Sequence, residues 1–196
     1  MSSLDPQILD TLRKSFKVLN RLMLLNWRLG MGPWLSLWPS GMGQFLVITH
    51  TGRKTGLQRR TPVNFAQVDG EVYVTAGFGS GSDWYRNLSA NPQCEVWLPE
   101  GRWQAEAVEL PQDDPRWLPL LRAVLRGSGF AAYAFGINPH KLDDQELRAL
   151  AADYRLLHLR REQALAGPGG PGDLGWVWPV LTALLLPAAL RRGKKK

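Results

Sequence analysis

Residues 44–110 contain five short apolar runs of strand type, divided by turn signals and only one helix-length insertion. That spacing restricts the fold more than any other feature of the chain. Phe45 to Thr49 is a compact apolar run, and Arg59 to Val68 reads as a second strand. Asp69-Gly70 is a hairpin signal, after which Val72 and Val74 share one face of Glu71 to Ala76. Gly77, Gly79 and Gly81 break the pattern. Ser82 or Asp83 can cap a helix that runs through Trp84, Tyr85 and Leu88 to Asn91, where Pro92 stops it. Cys94, Val96 and Leu98 then alternate, Glu100-Gly101 turns the chain, and Trp103, Ala105 and Ala107 alternate again. Strands joined this tightly pair antiparallel, and closing them into a small barrel removes exposed edges. A Rossmann sheet is disfavoured because crossover helices do not separate the strands.

The flanks are helical and apolar. Ile8, Leu12, Phe16, Leu19, Met23 and Trp27 recur at three- and four-residue steps, predicting a helix over 6–29 that opens at Asp5-Pro6 and stops at Gly30, Gly32 and Pro33. Helices are also expected over 113–126 and 141–152, with a last strand over 155–161. The chain thus divides into an amphipathic helix and apolar approach (1–40), a barrel domain (41–166), and a Gly/Pro linker with an apolar segment and basic tail (167–196).

Composition narrows the function classes. The single cysteine, Cys94, rules out an internal disulfide and lies in an alternating run, as a buried inert thiol would. His50, His140 and His158 lack metal-ligand spacing, so no metal is expected. Of the net charge of +7, five units come from Arg191, Arg192, Lys194, Lys195 and Lys196, leaving +2 on the rest. A nucleic-acid partner, which calls for a basic face on the domain itself, is therefore not expected. The polar start of the chain shows no secretory signal pattern.

Two segments carry chemistry. In Thr49 to Gly56, continuing to Arg59 and Arg60, cations interleave with glycines and threonines. Gly52 and Gly56 permit tight turns that expose amides, and lysine and arginine pair with phosphate, so this loop can hold a phosphate or polycarboxylate. A solvated basic hairpin is the equal alternative. The second segment, Gly77 to Leu88, puts glycines after a strand and before a helix N-terminus, with Trp84 as a flat apolar surface. Alone, it reads more readily as a turn followed by a capped helix that fills the core.

Taken in order, the pieces THTGRKTG, RRTPVNF, DGEVYVTAG and DWYRNLSANP resemble the deazaflavin (F420)-dependent nitroreductase family, split β-barrel relatives of FMN-binding, pyridoxamine-phosphate-oxidase-like proteins. The resemblance covers about residues 44–110. It implies a mainly β, α+β split barrel with peripheral helices, binding F420, with FMN as the alternative. It assigns Arg53, Lys54 and Arg59 to the phosphate of the cofactor tail. Thr61, Pro62 and Asn64 would lie beside the ring or its side chain, and Thr75, Gly77 and Phe78 would line the next strand end. Asp83 and Trp84 would begin the helix that covers the cofactor. The chain departs from the family pattern where Gly77 and Phe78 replace a usual serine and lysine, where Asn64 replaces a common aromatic, and in a shorter stretch before Trp84.

The implied chemistry is hydride transfer from the reduced ring to a lipophilic acceptor such as a quinone or nitroaromatic. Tyr85 and Tyr133 are the candidate proton donors, and His50 reads as a loop residue. A homodimer is a family expectation. Trp176 to Leu190 is too short to span and is interrupted by Pro179 and Pro187. With Trp176, Trp178, the cationic tail and the basic N-terminal helix, it suits the interface of a membrane, placing the protein in the cytoplasm on the inner face of the cell membrane. The rival readings are an FMN- or haem-binding barrel, a non-catalytic cofactor carrier, and a membrane-surface adaptor that binds polyanions.

Overall fold

Alternating apolar residues give a strand one face for a core, and six such strands form the body of the chain. The computed structural model describes residues 18–35, 43–134, 137–165 and 172–193. The strands are β1 (Phe45–Thr51), β2 (Gln58–Val68), β3 (Glu71–Ala76), β4 (Gln93–Leu98), β5 (Gly101–Leu110) and β6 (Arg155–Leu165). They close into an antiparallel barrel in the order β1-β2-β3-β6-β5-β4. The expected mainly β barrel with peripheral helices is therefore present.

The barrel interior is filled by side chains at every second position, including Leu46 and Ile48, Val63 and Phe65, and Val72 and Val74. The interior therefore leaves no room for a ring-sized ligand. The Asp69-Gly70 hairpin turns as expected, with φ of 53° and 81°, the left-handed geometry of a two-residue turn. Strand β1 runs two residues beyond the expected Thr49, because His50 and Thr51 pair with Arg59 and Gln58. Strand β6 runs four residues beyond Arg161, because Gln163 to Leu165 pair with Gln104 to Arg102.

The first helix, α1, is described over residues 18–28. The rest of its expected span, 6–17, lies outside the described residues. A short α2 (Gly32–Leu35) follows. Helix α3 (Asp83–Ala90) is the expected insertion between β3 and β4. The predicted 113–126 helix appears as α4 (Trp117–Gly127), later than expected because Asp114 organises a turn by accepting from the Arg116 amide at 2.7 Å. A short α5 (Phe130–Ala134), absent from the sequence reading, comes next. Helix α6 (Asp144–Leu150) begins at a capping box between Asp143 and Glu146, which shortens the predicted 141–152 span. Helix α7 (Val177–Gly193) takes up the apolar C-terminal segment.

A second core forms outside the barrel, where α4 and α6 pack Leu121, Val124 and Leu147 over Tyr73 and Leu156. A third, small cluster joins α1 to the barrel through Trp27, Val47 and Trp97. The turn before α7 is tied to α1: Gly172 and Leu174 amides donate to the carbonyls of Trp27 and Arg28, and Arg28 pairs with Asp173 at 3.0 Å.

Candidate functional site

One end of the barrel gathers the two segments that the sequence singles out. Strand β1 finishes there, β2 begins, β3 finishes, and β4 begins after α3. Helix α3 lies across this end and sends Leu88 into the barrel core, with Trp84 and Tyr85 packed against it. The cationic loop, residues 52–57, and the start of α3 are therefore neighbours.

Arg53 joins them. Its guanidinium donates to Asn87 Oδ1 at 2.9 Å and to Asp83 Oδ1 at 3.1 Å, and its backbone amide donates to the same Asn87 oxygen at 3.1 Å. Lys54 and Arg59 are exposed and have no ion-pair partner among the described residues. The mouth thus presents two unpaired cations beside a braced third, and Asp83 is the acid set against them.

The loop itself differs from the sequence reading in one respect. Its glycines do not leave a nest of free amides. Gly52 N–H donates to the Leu57 carbonyl, Thr55 and Gly56 N–H both donate to the Gly52 carbonyl, and Leu57 N–H donates to Thr55 Oγ1. Within the loop only the Lys54 amide lacks an acceptor among the described residues. An anion here would be held mainly by side-chain cations. Gly52 is required for another reason: a Cβ would sit 2.9 Å from Thr55 Oγ1 and 3.2 Å from the Leu57 carbonyl, closing the space that the turn needs.

His50 is not a loop residue. It lies on β1, only 3% exposed, at the end of the interior face that carries Leu46 and Ile48. Asn87, also 3% exposed, is its partner: Nδ2 donates to His50 Nδ1 at 3.2 Å. The direction follows from Asn87 Oδ1, which is already taken by Arg53, so the amide nitrogen faces the ring. The neutral imidazole then carries its proton on Nε2, which donates to Thr61 Oγ1 at 3.1 Å. Burial, with help from the Arg59 charge, holds the His50 pKa below its ordinary value.

Strand alternation separates the remaining expected site residues. Arg59 and Thr61 share the inner face of β2 at the mouth, whereas Pro62 and Asn64 lie on its other face. Asn64 Nδ2 donates to the Gln44 carbonyl at 3.3 Å, and the Thr75 hydroxyl donates to the Arg155 carbonyl at 3.1 Å. Gly77 and Phe78 form the turn after β3, which Arg86 Nε grips through the Ser80 carbonyl. Asp83 is the first residue of α3, and half-buried Trp84 follows it. Tyr85 donates to Glu109 Oε2 at 2.7 Å, and burial, then that bond, raises its pKa. Tyr133 is 52% exposed on α5, in the layer outside the barrel. Asn87 was not singled out from sequence, although its place one helical turn after Asp83 puts both on one face of α3.

A groove of about 570 Å³ opens elsewhere, between Leu29, Met31, Trp34, Gly172 and Trp178, and shares no residue with the mouth.

The chain is similar to known proteins. The F420H(2)-dependent quinone reductase of Mycobacterium tuberculosis H37Rv is 31% identical over 83 residues, 40% of this chain and 55% of that protein. The chain therefore matches just over half the length of this relative. A solved F420-H2 dependent reductase is 21% identical, covering 59% of this chain and 93% of its own, with a TM-score of 0.41. The haem storage protein HutZ of Vibrio cholerae is 17% identical over 66% of this chain and 87% of its own, with a TM-score of 0.43. The sequence model described as F420H(2)-dependent quinone reductase matches residues 32–139, from α2 through the loop, α3 and α4. With more than half of its length under that match, the chain belongs to the F420H(2)-dependent quinone reductase family.

Proposed function

We propose that this protein is an oxidoreductase that uses reduced F420 to deliver a hydride to a lipophilic acceptor, a quinone or a nitroaromatic. The observation that carries the reading is the Arg53 junction, which sets the cationic loop against the first turn of α3 and leaves Lys54 and Arg59 without acid partners among the described residues. Those cations fit the anionic tail of a deazaflavin. When bound, the reduced deazaflavin supplies the hydride.

The chain's own residues bind, orient and shield. Lys54 and Arg59 hold the anionic tail, Arg53 keeps the loop against α3, and Trp84 offers a flat surface for the ring. Because the interior is packed, the ring would be received outside it, against Trp84 at this end. Tyr85 and Tyr133 are the phenols proposed to donate to the acceptor oxygen; Tyr85 must release Glu109 to do so.

The test is a fluorescence titration with F420 and, separately, FMN, followed by quinone and nitroaromatic reduction assays. Binding of F420, weakened about 10- to 100-fold by Lys54→Ala or Arg59→Ala, supports the reading. Preference for FMN moves the protein to the flavin alternative, and no binding of either rejects the site.

A specific observation favours a membrane-surface location for the same enzyme. Helix α1 exposes Val18, Leu22 and Leu25, α2 exposes Trp34, and α7 exposes Leu184, Leu185 and Leu186. No helix among the described residues is long and apolar enough to cross a membrane. We infer that these faces rest in the interface of an anionic bilayer, with the basic tail at its headgroups. Flotation with anionic vesicles checks this: the native chain rises with the lipid and Leu184→Glu/Leu185→Glu does not. Equal partitioning of the two removes the proposal.

A further inference from the structure

The buried pair His50–Asn87 has no part in the hydride-transfer chemistry proposed above, yet the cationic loop is built on it. Asn87 Oδ1 receives two hydrogen bonds from Arg53, at 3.1 Å from the amide and 2.9 Å from the guanidinium. An amide side chain offers an oxygen on one side and a nitrogen on the other; the two Arg53 donors select the oxygen, and His50 meets the nitrogen, so both ends of the amide favour one orientation. The His50 Nδ1 accepts from Asn87 Nδ2, and its Nε2 faces Thr61 Oγ1. A flipped Asn87 would aim its NH2 at the arginine, donor against donor, and its oxygen at an acceptor nitrogen.

We propose that His50 is a positioning residue for anion binding: as the buried Nε2–H tautomer it locks the Asn87 amide so that Asn87 holds Arg53, and with it the loop that carries Lys54. This rests on the reading of that loop as the cofactor's phosphate site. Burial and the Arg59 charge favour the neutral ring and outweigh a backbone hydrogen bond at Thr51 that favours the charged one. Arg59 and Thr61 face it from β2, and Asn87 faces it from α3 with Arg53 behind. Its partner across β4 is Cys94, whose thiol donates to the Ala105 carbonyl at 3.4 Å and is held protonated by burial. Asp83 is engaged by Arg53, and the carboxylates that act on Cys94 are Glu162 and Glu95. A protonated His50 would lose its acceptor nitrogen and set a charge beside Arg59, so the lock belongs to the neutral ring.

Two readouts test this without turnover. Nitrogen NMR of His50 in the free protein should show the Nε2–H tautomer, unprotonated through neutral pH. Hydrogen exchange at the Arg53 amide should be slow in the native chain and about tenfold faster in His50→Leu, with the Ile48 amide in the barrel wall unchanged. His50→Asn, which keeps an acceptor toward Asn87, should restore most of the protection. F420 affinity should follow the same order, falling about tenfold in His50→Leu and recovering in His50→Asn. If His50→Leu does not fold, Asn87→Leu takes its place and should free the same amide. A Nδ1–H tautomer, or Arg53 exchange indifferent to these changes, overturns the proposal. Failure of the native protein to bind F420 while the exchange pattern holds would instead remove the cofactor reading.

Discussion

Asn87 accepts from Arg53 twice through one oxygen, once from the backbone and once from the side chain, across 34 residues of sequence. The bonds tie a surface loop to a helix whose other side fills the barrel, so the loop inherits the rigidity of the core.

Asp83 is the acid that pairs with the loop's Arg53 at this mouth. It is 83% exposed and paired with Arg53, so the pair adds little to stability, well under about 1 kcal/mol. Removing the carboxylate leaves the cations less neutralised. Asp83→Ala should therefore melt within a degree or two of the native chain while binding F420 about two- to fivefold more tightly at low salt, a gain that fades as salt rises. A titration at two ionic strengths checks both parts; weaker binding would mean that Asp83 holds the ligand.

Stability should depend on pH through His50. Burial lowers its folded-state pKa below the ordinary 6.5, so the unfolded chain takes up the proton first as pH falls. Its contribution is complete above that value and declines as pH drops through it toward the folded-state pKa. Denaturant midpoints of the native chain and His50→Leu should thus converge on acidification below pH 6.5 and be separated at neutral pH. Parallel curves would exclude this role.

Gly79 cannot accept a side chain. Its φ is +53°, and a Cβ would meet the Asp153 carbonyl oxygen at 2.2 Å. Gly79→Ala should cost roughly 3 kcal/mol, combining backbone strain and a clash with main chain. Gly81, where a Cβ meets open space, is the control, and Gly81→Ala should change stability by about 0.5 kcal/mol or less. Thermal melts of the two variants provide the comparison.

Cys94 should be inert in the folded protein. Burial pushes its thiol pKa up to about 12, and the side chain lies in the barrel core. Little thiolate exists at neutral pH, so maleimide labelling should require unfolding. Rapid labelling under native conditions would show that this wall of the barrel opens.

Tyr85 and Tyr133 can be separated kinetically. A phenol that donates to the acceptor oxygen acts in the transition state, so its phenylalanine variant should lose about tenfold or more in kcat with little change in F420 affinity. Tyr85→Phe also gives up the bond to Glu109 and should lose about 1 kcal/mol of stability, whereas exposed Tyr133→Phe should not. Unaltered kcat in both variants would leave the proton to solvent.

Much of this molecule could be read along the chain. Val72 with Val74 and Cys94 with Val96 and Leu98 mark barrel-facing residues by alternation alone, and all of them lie in the interior core. The Asp69-Gly70 turn and the α3 insertion were equally local. His50 was misread because it adjoins Gly52-Arg53-Lys54 and so looked like part of the loop; pairing with Arg59 and Cys94 carries the strand two residues further and buries it. Asn87 carried no signal of its own, since an asparagine inside a short helix is usually a surface residue.

Strand periodicity and turn chemistry are set by neighbours a few residues apart, and they were enough to specify a small antiparallel barrel, a cationic loop and a tryptophan-bearing helix. What the loop's cations face, which of them is braced, and which way a buried amide points were decided only by closure of the barrel. Closure brings His50 to Asn87, 37 residues later, and the partner of a buried polar group depends on which elements meet rather than on which residues adjoin.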